Sequence, residues 1–342
     1  MKDINKRKRG FLAAISATAI AFGGLWPLAN PAHAADQTVW RLGHTLTVPG
    51  SLYEKIITEE IPARILKATD GKVVVRPMIG VISTDDVVNA LRRDRIQMGS
   101  LTVAYSAATY PLWAVLNLPG LVNDPALIAP ISREVVLPEV AEDMKPMGIR
   151  PAVVVSWDGG AYFSNKPINK VEEFGHLQWR THAPMLSQII VAMGGATVGM
   201  PFGELMPSLE RRLVDAYTTT FPAMYAAGLA KVTKYAIPAP NGTSLALVMV
   251  GEQALAKLPE STREQVIAEL DAINNEVGAR LHDEYLQVVK QAQEQGMEML
   301  AFPDEETDKL MTIAKESVWQ PWLKETGSRG EALLEKIQTY KQ

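Results

Sequence analysis

One stretch near the carboxyl end sets the scale of whatever this chain folds into. Between Thr262 and Gln295 apolar residues fall at Val266, Leu270, Ile273, Val277, Leu281, Tyr285, Val288 and Ala292, in steps of three or four. That spacing keeps them on one stripe of a helix. A continuous helix of this length runs about 50 Å at ~1.5 Å per residue, well beyond the ~30 Å of a small domain. It then has to lie across two domains. The alternative is two helices broken near Gly278, since an interior glycine costs only ~1 kcal/mol relative to alanine.

Upstream, short segments of strand and helix character alternate. Residues 39–42 read as a strand and 53–67, with Ile56, Ile57, Ile61, Ile65 and Leu66 apolar, as a helix. A strand at 72–77, a helix at 85–93 and strands at 97–103, 150–156 and 177–180 follow. This order predicts an α/β fold with mostly parallel sheets covered on both faces.

The first ten residues carry Lys2, Lys6, Arg7, Lys8 and Arg9, and an uncharged stretch over 11–26 follows directly. That is the layout of a secretory signal peptide. Ala32-His33-Ala34 supplies the small residues a signal peptidase needs, so cleavage is expected after Ala34. The stretch is shorter than the ~20 apolar residues that cross a bilayer, which argues against a retained anchor. Lys8-Arg9 has a lysine where a twin-arginine signal has its first arginine.

Cleavage leaves 308 of the 342 residues, enough for two domains with a large core. Cysteine is absent, which excludes disulfides, a thiolate metal site, a cysteine nucleophile and a lipidated N-terminal cysteine. The mature chain is expected to be free in the periplasm, not membrane-anchored, and a monomer. The net charge of −4 includes the basic leader, so the mature form is more acidic and lacks the positive footprint of a nucleic-acid binder.

Residues 177–181 alternate apolar and polar, and Thr181-His182-Ala183-Pro184 ends the strand before a helix at about 185–193. Arg180 is thereby set at the carboxyl end of a strand, where open α/β sheets bind ligands. A guanidinium there offers a planar fork of N–H donors that matches a carboxylate, with an effectively permanent charge. On position alone, a surface arginine in a rim ion pair fits equally well.

Further segments follow one another in a fixed order over residues 40–339. They are Arg41-Leu42-Gly43-His44, Thr69-Asp70-Gly71-Lys72-Val73, Leu116-Asn117-Leu118-Pro119, and Ser164-Asn165-Lys166-Pro167 followed by Leu177-Gln178-Trp179-Arg180. Pro201-Phe202-Gly203-Glu204-Leu205 with Leu213-Val214-Asp215, and Thr326-Gly327-Ser328-Arg329-Gly330-Glu331, complete the series. In order and spacing they resemble the substrate-binding components of tripartite ATP-independent periplasmic (TRAP) transporters of the DctP-like type.

The resemblance implies two α/β domains that close on a ligand as a hinged trap, braced by the long helix. The first takes residues 35–156 with 246–287, the second 157–245 with 288–342. Arg180 would pair with the ligand carboxylate, Phe202 would be a pocket-wall aromatic, and Trp157 would stand beside the hinge strand. Thr45 and Thr102 would face the cleft from strand ends. Tyr105, Tyr217 and Asp158 are within reach of it, each as able to support neighbours as to touch ligand. His44 and His182 flank the site as hydrogen-bonding residues. Two isolated histidines without a carboxylate at ligand spacing do not make a metal site. No cofactor is expected, and the membrane partner implied is a TRAP-type permease.

Two departures bear on the ligand. Where many members carry Gly-Gln-Glu-Asn-Pro, this sequence has Ala216-Tyr217-Thr218-Thr219-Thr220, so Thr219 replaces a ligand-bonding asparagine. A second arginine found in some members is Ala161 here. Both remove polar capacity, and a hydroxylated sugar acid would leave groups unpaired at ~1–3 kcal/mol each. The expected ligand is a compact or partly apolar monocarboxylate, aromatic or a 2-oxo or 2-hydroxy acid. The alternatives are a periplasmic enzyme using His44 or His182 as a base, and a ligand-sensing module for a membrane receptor. No Gly-x-Ser-x-Gly elbow, Walker A loop or His-Glu-x-x-His pair supports the former.

Overall fold

The structure, a computed structural model, describes residues 37–45, 48–238 and 243–341. The leader expected over 1–34 and its cleavage site lie outside them. Among the described residues no helix is long and apolar enough to cross a membrane.

In chain order the strands are β1 (Thr38–His44), β2 (Val73–Ile79), β3 (Met98–Thr102), β4 (Ile149–Trp157), β5 (Gly160–Ser164) and β6 (Gln178–Thr181). They continue with β7 (Ala196–Gly199), β8 (Ala216–Thr220), β9 (Tyr235–Ile237), β10 (Ser244–Gly251) and β11 (Glu298–Met299). The first sheet has the order β2-β1-β3-β10-β4 and the second β11-β9-β5-β8-β6-β7. This is the expected two-domain α/β fold.

The expectation of mostly parallel sheets is met only in part. β1 lies parallel to β2 and β3, and β6 parallel to β7 and β8. β10, however, runs antiparallel to β3 and β4, and β5 antiparallel to β8 and β9. The reason is where each strand comes from. β5 enters the second sheet at Gly160, opposite Thr220 at the carboxyl end of β8, and β10 enters the first at Ser244, opposite Trp157 at the end of β4. A strand arriving from the other sheet enters where its neighbours leave, so it runs against them. The carboxyl ends of both sheets therefore border the crossovers, where ligand crevices form.

The long helix is a single element, Glu260–Glu294. Val266, Leu270, Ile273, Val277 and Leu281 pack into one core with Trp40, Leu42 and Ile61. Val288 and Ala292 pack into another with Phe163, Tyr217 and Phe221. One apolar stripe thus serves both sheets. The helix runs unbroken through Gly278, where the helix Pro125–Ile131 comes close: a Cβ at 278 would lie 2.5 Å from that of Ala129. The C-terminal helix Gln320–Tyr340 reaches back beside the first sheet, with Trp322 Nε1 donating to Pro111 O at 2.8 Å and the preceding Trp319 Nε1 to Pro119 O at 3.0 Å.

Candidate functional site

Both faces of β6 are covered, which decides the surroundings of Arg180. Trp179 stacks on Phe174 at 4.7 Å and donates from Nε1 to Phe174 O at 3.1 Å. Strand alternation sends the next side chain to the opposite face. There Arg180 is fully buried as well. Its Nε and Nη2 donate to Met200 O at 3.2 and 2.9 Å, and Nη1 to Thr218 O at 3.3 Å. The Phe202 ring centroid lies 5.6 Å from its Cζ. Among the described residues no carboxylate pairs with it, and burial lowers its pKa from the usual value. The rim ion pair is thereby set aside.

A cavity of about 550 Å³ opens beside the guanidinium. Thr45, Thr84 and Tyr105 line it from the first sheet's side, and Thr181, His182, Ser187, Met200 and Phe202 from the second's. Among the described residues no Asp, Glu, Lys or Arg lines it, and Arg180 is buried next to two residues that do, Thr181 and Phe202. His182 is half-buried, its ring 6.0 Å from that of Tyr105. Burial, and then the Arg180 cation, hold its pKa down at about 3, so it is neutral. Thr181 and Ser187 share a hydroxyl contact of 2.5 Å that ties the strand end to the helix Pro184–Ala192.

Four of the nine expected site residues therefore meet at this cavity: Thr45, Tyr105, His182 and Phe202. The others are placed around it. Thr102 is buried at the end of β3 beside Tyr53. Thr219 is buried in β8 directly opposite Ala161 of β5, so the two departures from the family pattern are cross-strand partners. Trp157 ends β4, and its side chain lies outside what is described. Asp158 sits in the crossover from β4 to β5, its Oδ2 3.1 Å from His282 Nδ1 on the long helix. Burial pushes its pKa up to about 6 against the opposing pull of His282. Tyr217 is a core residue stacked on Phe163 and bonded to Thr233 at 2.8 Å.

His44 departs from expectation. It is fully buried, burial lowers its pKa to about 4, and neither ring nitrogen has a partner among the described residues. It contacts Tyr53 through its ring, with centroids 5.5 Å apart. Thr84, Ser187 and Met200 were not legible as site residues. Ser187 carries a weak signal, falling one turn into the helix after Arg180, whereas Met200 acts through its backbone carbonyl, which side-chain identity does not report.

Two sheets joined by strand crossovers, with a buried cation beside a cavity lined from both, fit the architecture of a solute-binding protein. Residues 43–325 match the model of the bacterial extracellular solute-binding proteins, family 7 (DctP), and the chain belongs to that family. It is a DctP-like TRAP substrate-binding protein, and such proteins are receptors for solutes, not enzymes. A solute-binding protein of Albidiferax ferrireducens is 20% identical over 277 residues, 78% of this chain and 80% of its own length. The uncharacterized protein y4mM of Sinorhizobium fredii is 26% identical over 238 residues, 67% of this chain, and the match spans 42% of y4mM.

Solved structures share the fold. DctP7 of Bordetella pertussis, a receptor binding pyroglutamic acid, superposes with a TM-score of 0.81 at 16% identity, over 88% of this chain and 99% of that one. A marine-metagenome TRAP protein specific for pyroglutamate gives 0.79 at 14%, over 89% and 99%. A Haemophilus influenzae TRAP protein with bound L-gulonate gives 0.76 at 18%, over 89% and 99%.

Proposed function

We propose that the protein captures a compact monocarboxylate in the periplasm, with Arg180 as its carboxylate anchor, and delivers it to a TRAP-type permease. The observation that carries this reading is the environment of Arg180. A cation buried among neutral oxygens is costly unless an anion joins it. Among the described residues the cavity beside it has no charged side chain in its lining, so one negative charge is matched and a second carboxylate would face neutral groups there. Its size falls within the ~300–1,000 Å³ usual for small-molecule sites.

Phe202, Tyr105, His182 and Thr45 form the wall in this reading. Thr219 and Thr102 shape it from behind, while Trp157 and Asp158 act at the crossover. The neighbours that bind pyroglutamate support a compact cyclic or 2-substituted acid. The same fold holds L-gulonate in another member, so selection falls to local positions such as the Thr219–Ala161 pair. The carboxylate docks on the second domain, and closure of the first excludes water and strengthens the ion pair. Membership of the two sheets supports a domain division at 35–156 with 246–287 and 157–245 with 288–342 for the strands, while the helix Gln320–Tyr340 packs back against the first part. Cleavage after Ala34 and a monomeric mature chain belong to the same proposal.

A thermal-shift screen of the mature chain tests it, because a ligand that binds only the folded state at 100 times its Kd stabilises by ~2.7 kcal/mol. Monocarboxylates such as L-pyroglutamate, L-lactate, pyruvate and benzoate are expected to raise the melting temperature, and to be recovered unchanged. Equal or larger shifts with dicarboxylates or polyhydroxy acids would sink the reading.

A further inference from the structure

The chain passes from the first sheet to the second through two residues, Asp158 and Gly159, between the end of β4 and the start of β5. Both lie against one turn of the long helix. A Cβ on Gly159 would run into the Tyr285 ring, and Asp158 Oδ2 is 3.1 Å from His282 Nδ1. Residues three apart share a helix face, so a single patch of the rod meets the whole crossover. That patch is also where the rod changes cores, since Leu281 packs with the first sheet and Val288 with the second. From the other side Gly159 O accepts from Phe221 N at 3.1 Å, which ties the crossover to the start of the helix Phe221–Ala226. Phe202 packs on both cores, so the cleft is described with its walls in contact.

Asp158 is the costly member of this group. Its side chain is fully buried, and Oδ1 has no hydrogen-bond partner among the described residues. A carboxylate held out of water needs compensation, and removing the partner of a buried ion leaves that cost standing. We propose that the Asp158–His282 bond is a latch for the closed cleft: His282 offsets the burial of Asp158 while the walls are in contact, and opening returns the carboxylate to water. Neither residue lines the cavity. Both therefore act on a ligand through the hinge, as positioning residues, and the affinity of any acid scales with the fraction of molecules able to close. The latch does not depend on which acid is captured.

Distances between spin labels on Val81→Cys and Val191→Cys, one after β2 and one in the helix that follows β6, read the latch in the mature chain. The sequence has no cysteine to compete for the labels, and both positions are exposed. Measurements at about pH 7.5, above the Asp158 value of about 6, are made with and without L-pyroglutamate, and calorimetry gives the dissociation constants. H282L removes the donor and is expected to shift the distances towards an open cleft and to weaken binding about tenfold or more. H282F keeps a ring without the nitrogens and serves if H282L folds poorly. H282N returns an N–H near the place of Nδ1 and is expected to stay within about threefold of wild type. D158A/H282L has no carboxylate left to bury, and is expected to recover most of the loss. Distances in H282L or H282F equal to those of wild type under both conditions, or a double variant no better than H282L, overturn the latch. Failure of wild type to bind L-pyroglutamate counts against the proposed ligand class alone, and the ligand-free distances then decide the latch.

Discussion

The two walls of the cleft are built from similar strand ends and differ in charge. The first sheet's side brings Thr45 after β1, Thr84, and Tyr105 after β3, all hydroxyl-bearing and neutral. The second brings Arg180 at the end of β6, with His182 beside it kept uncharged by burial and by that same cation. A cation on each wall would repel as the cleft closed. With the charge among the described residues of the two walls confined to one, the proposed function makes capture and closure separate tasks: one domain would hold the anion and the other would shut over it.

The strongest challenge to this asymmetry is removal of the charge. Arg180→Ala is expected to weaken binding of the best acid from the screen by about 3 kcal/mol, more than 100-fold, measured by calorimetry. Affinity within threefold of wild type would mean that the second wall is not the capturing one.

The next test falls on the connection between the walls. Gly159 in the crossover has φ +67°, and a Cβ there would lie 2.0 Å from the Tyr285 ring on the long helix. Gly159→Ala is expected to cost about 2–3 kcal/mol in urea unfolding, combining a left-handed backbone with overpacking. A cost below 0.5 kcal/mol would show that the crossover tolerates repositioning.

Acidification probes both walls together. His44 and His182 have lowered values, so the unfolded chain takes up protons near pH 6.5 while the folded chain resists until about 4 and 3, and stability falls as pH drops through that window. Asp158 has a raised value of about 6, so the folded chain takes up its proton first and gains stability between about pH 6 and 4. Two against one leaves these groups a net loss of about 1.4 kcal/mol per pH unit there. Asp158→Asn removes the opposing contribution, so the melting temperature should fall more steeply with acid than in wild type; a shallower slope would reverse the assignment.

The smallest effect is expected on the first wall. Thr45 Oγ1 makes a long 3.5 Å bond to Ser100 O, and Thr45→Val should alter binding by less than about 1 kcal/mol. A loss matching that of Arg180→Ala would erase the contrast between the walls.

What could be read in advance follows from the range of the interactions involved. The apolar stripe from Val266 to Ala292 is a local periodicity, and it gave the long helix and, with it, two domains. The placement of Arg180 near the end of a strand was legible because strand alternation and the Thr181–Pro184 break are also local. The antiparallel entry of β5 and β10 was not, because it depends on which sheet the chain has just left. Nor could Thr219 and Ala161, 58 residues apart in the sequence, be recognised as cross-strand partners, since their pairing is a matter of register. The same holds for the carbonyl of Met200, a backbone atom common to every residue type, which Arg180 meets only through long-range placement.

The undivided helix Glu260–Glu294 carries a constraint on how such a molecule can change through descent. A single residue inserted between Leu281 and Val288 would rotate everything downstream by about 100°, swinging Val288 and Ala292 out of their core while the upstream stripe stayed seated. Length changes that preserve this rod must therefore come close to whole turns, or be absorbed in the loops outside it.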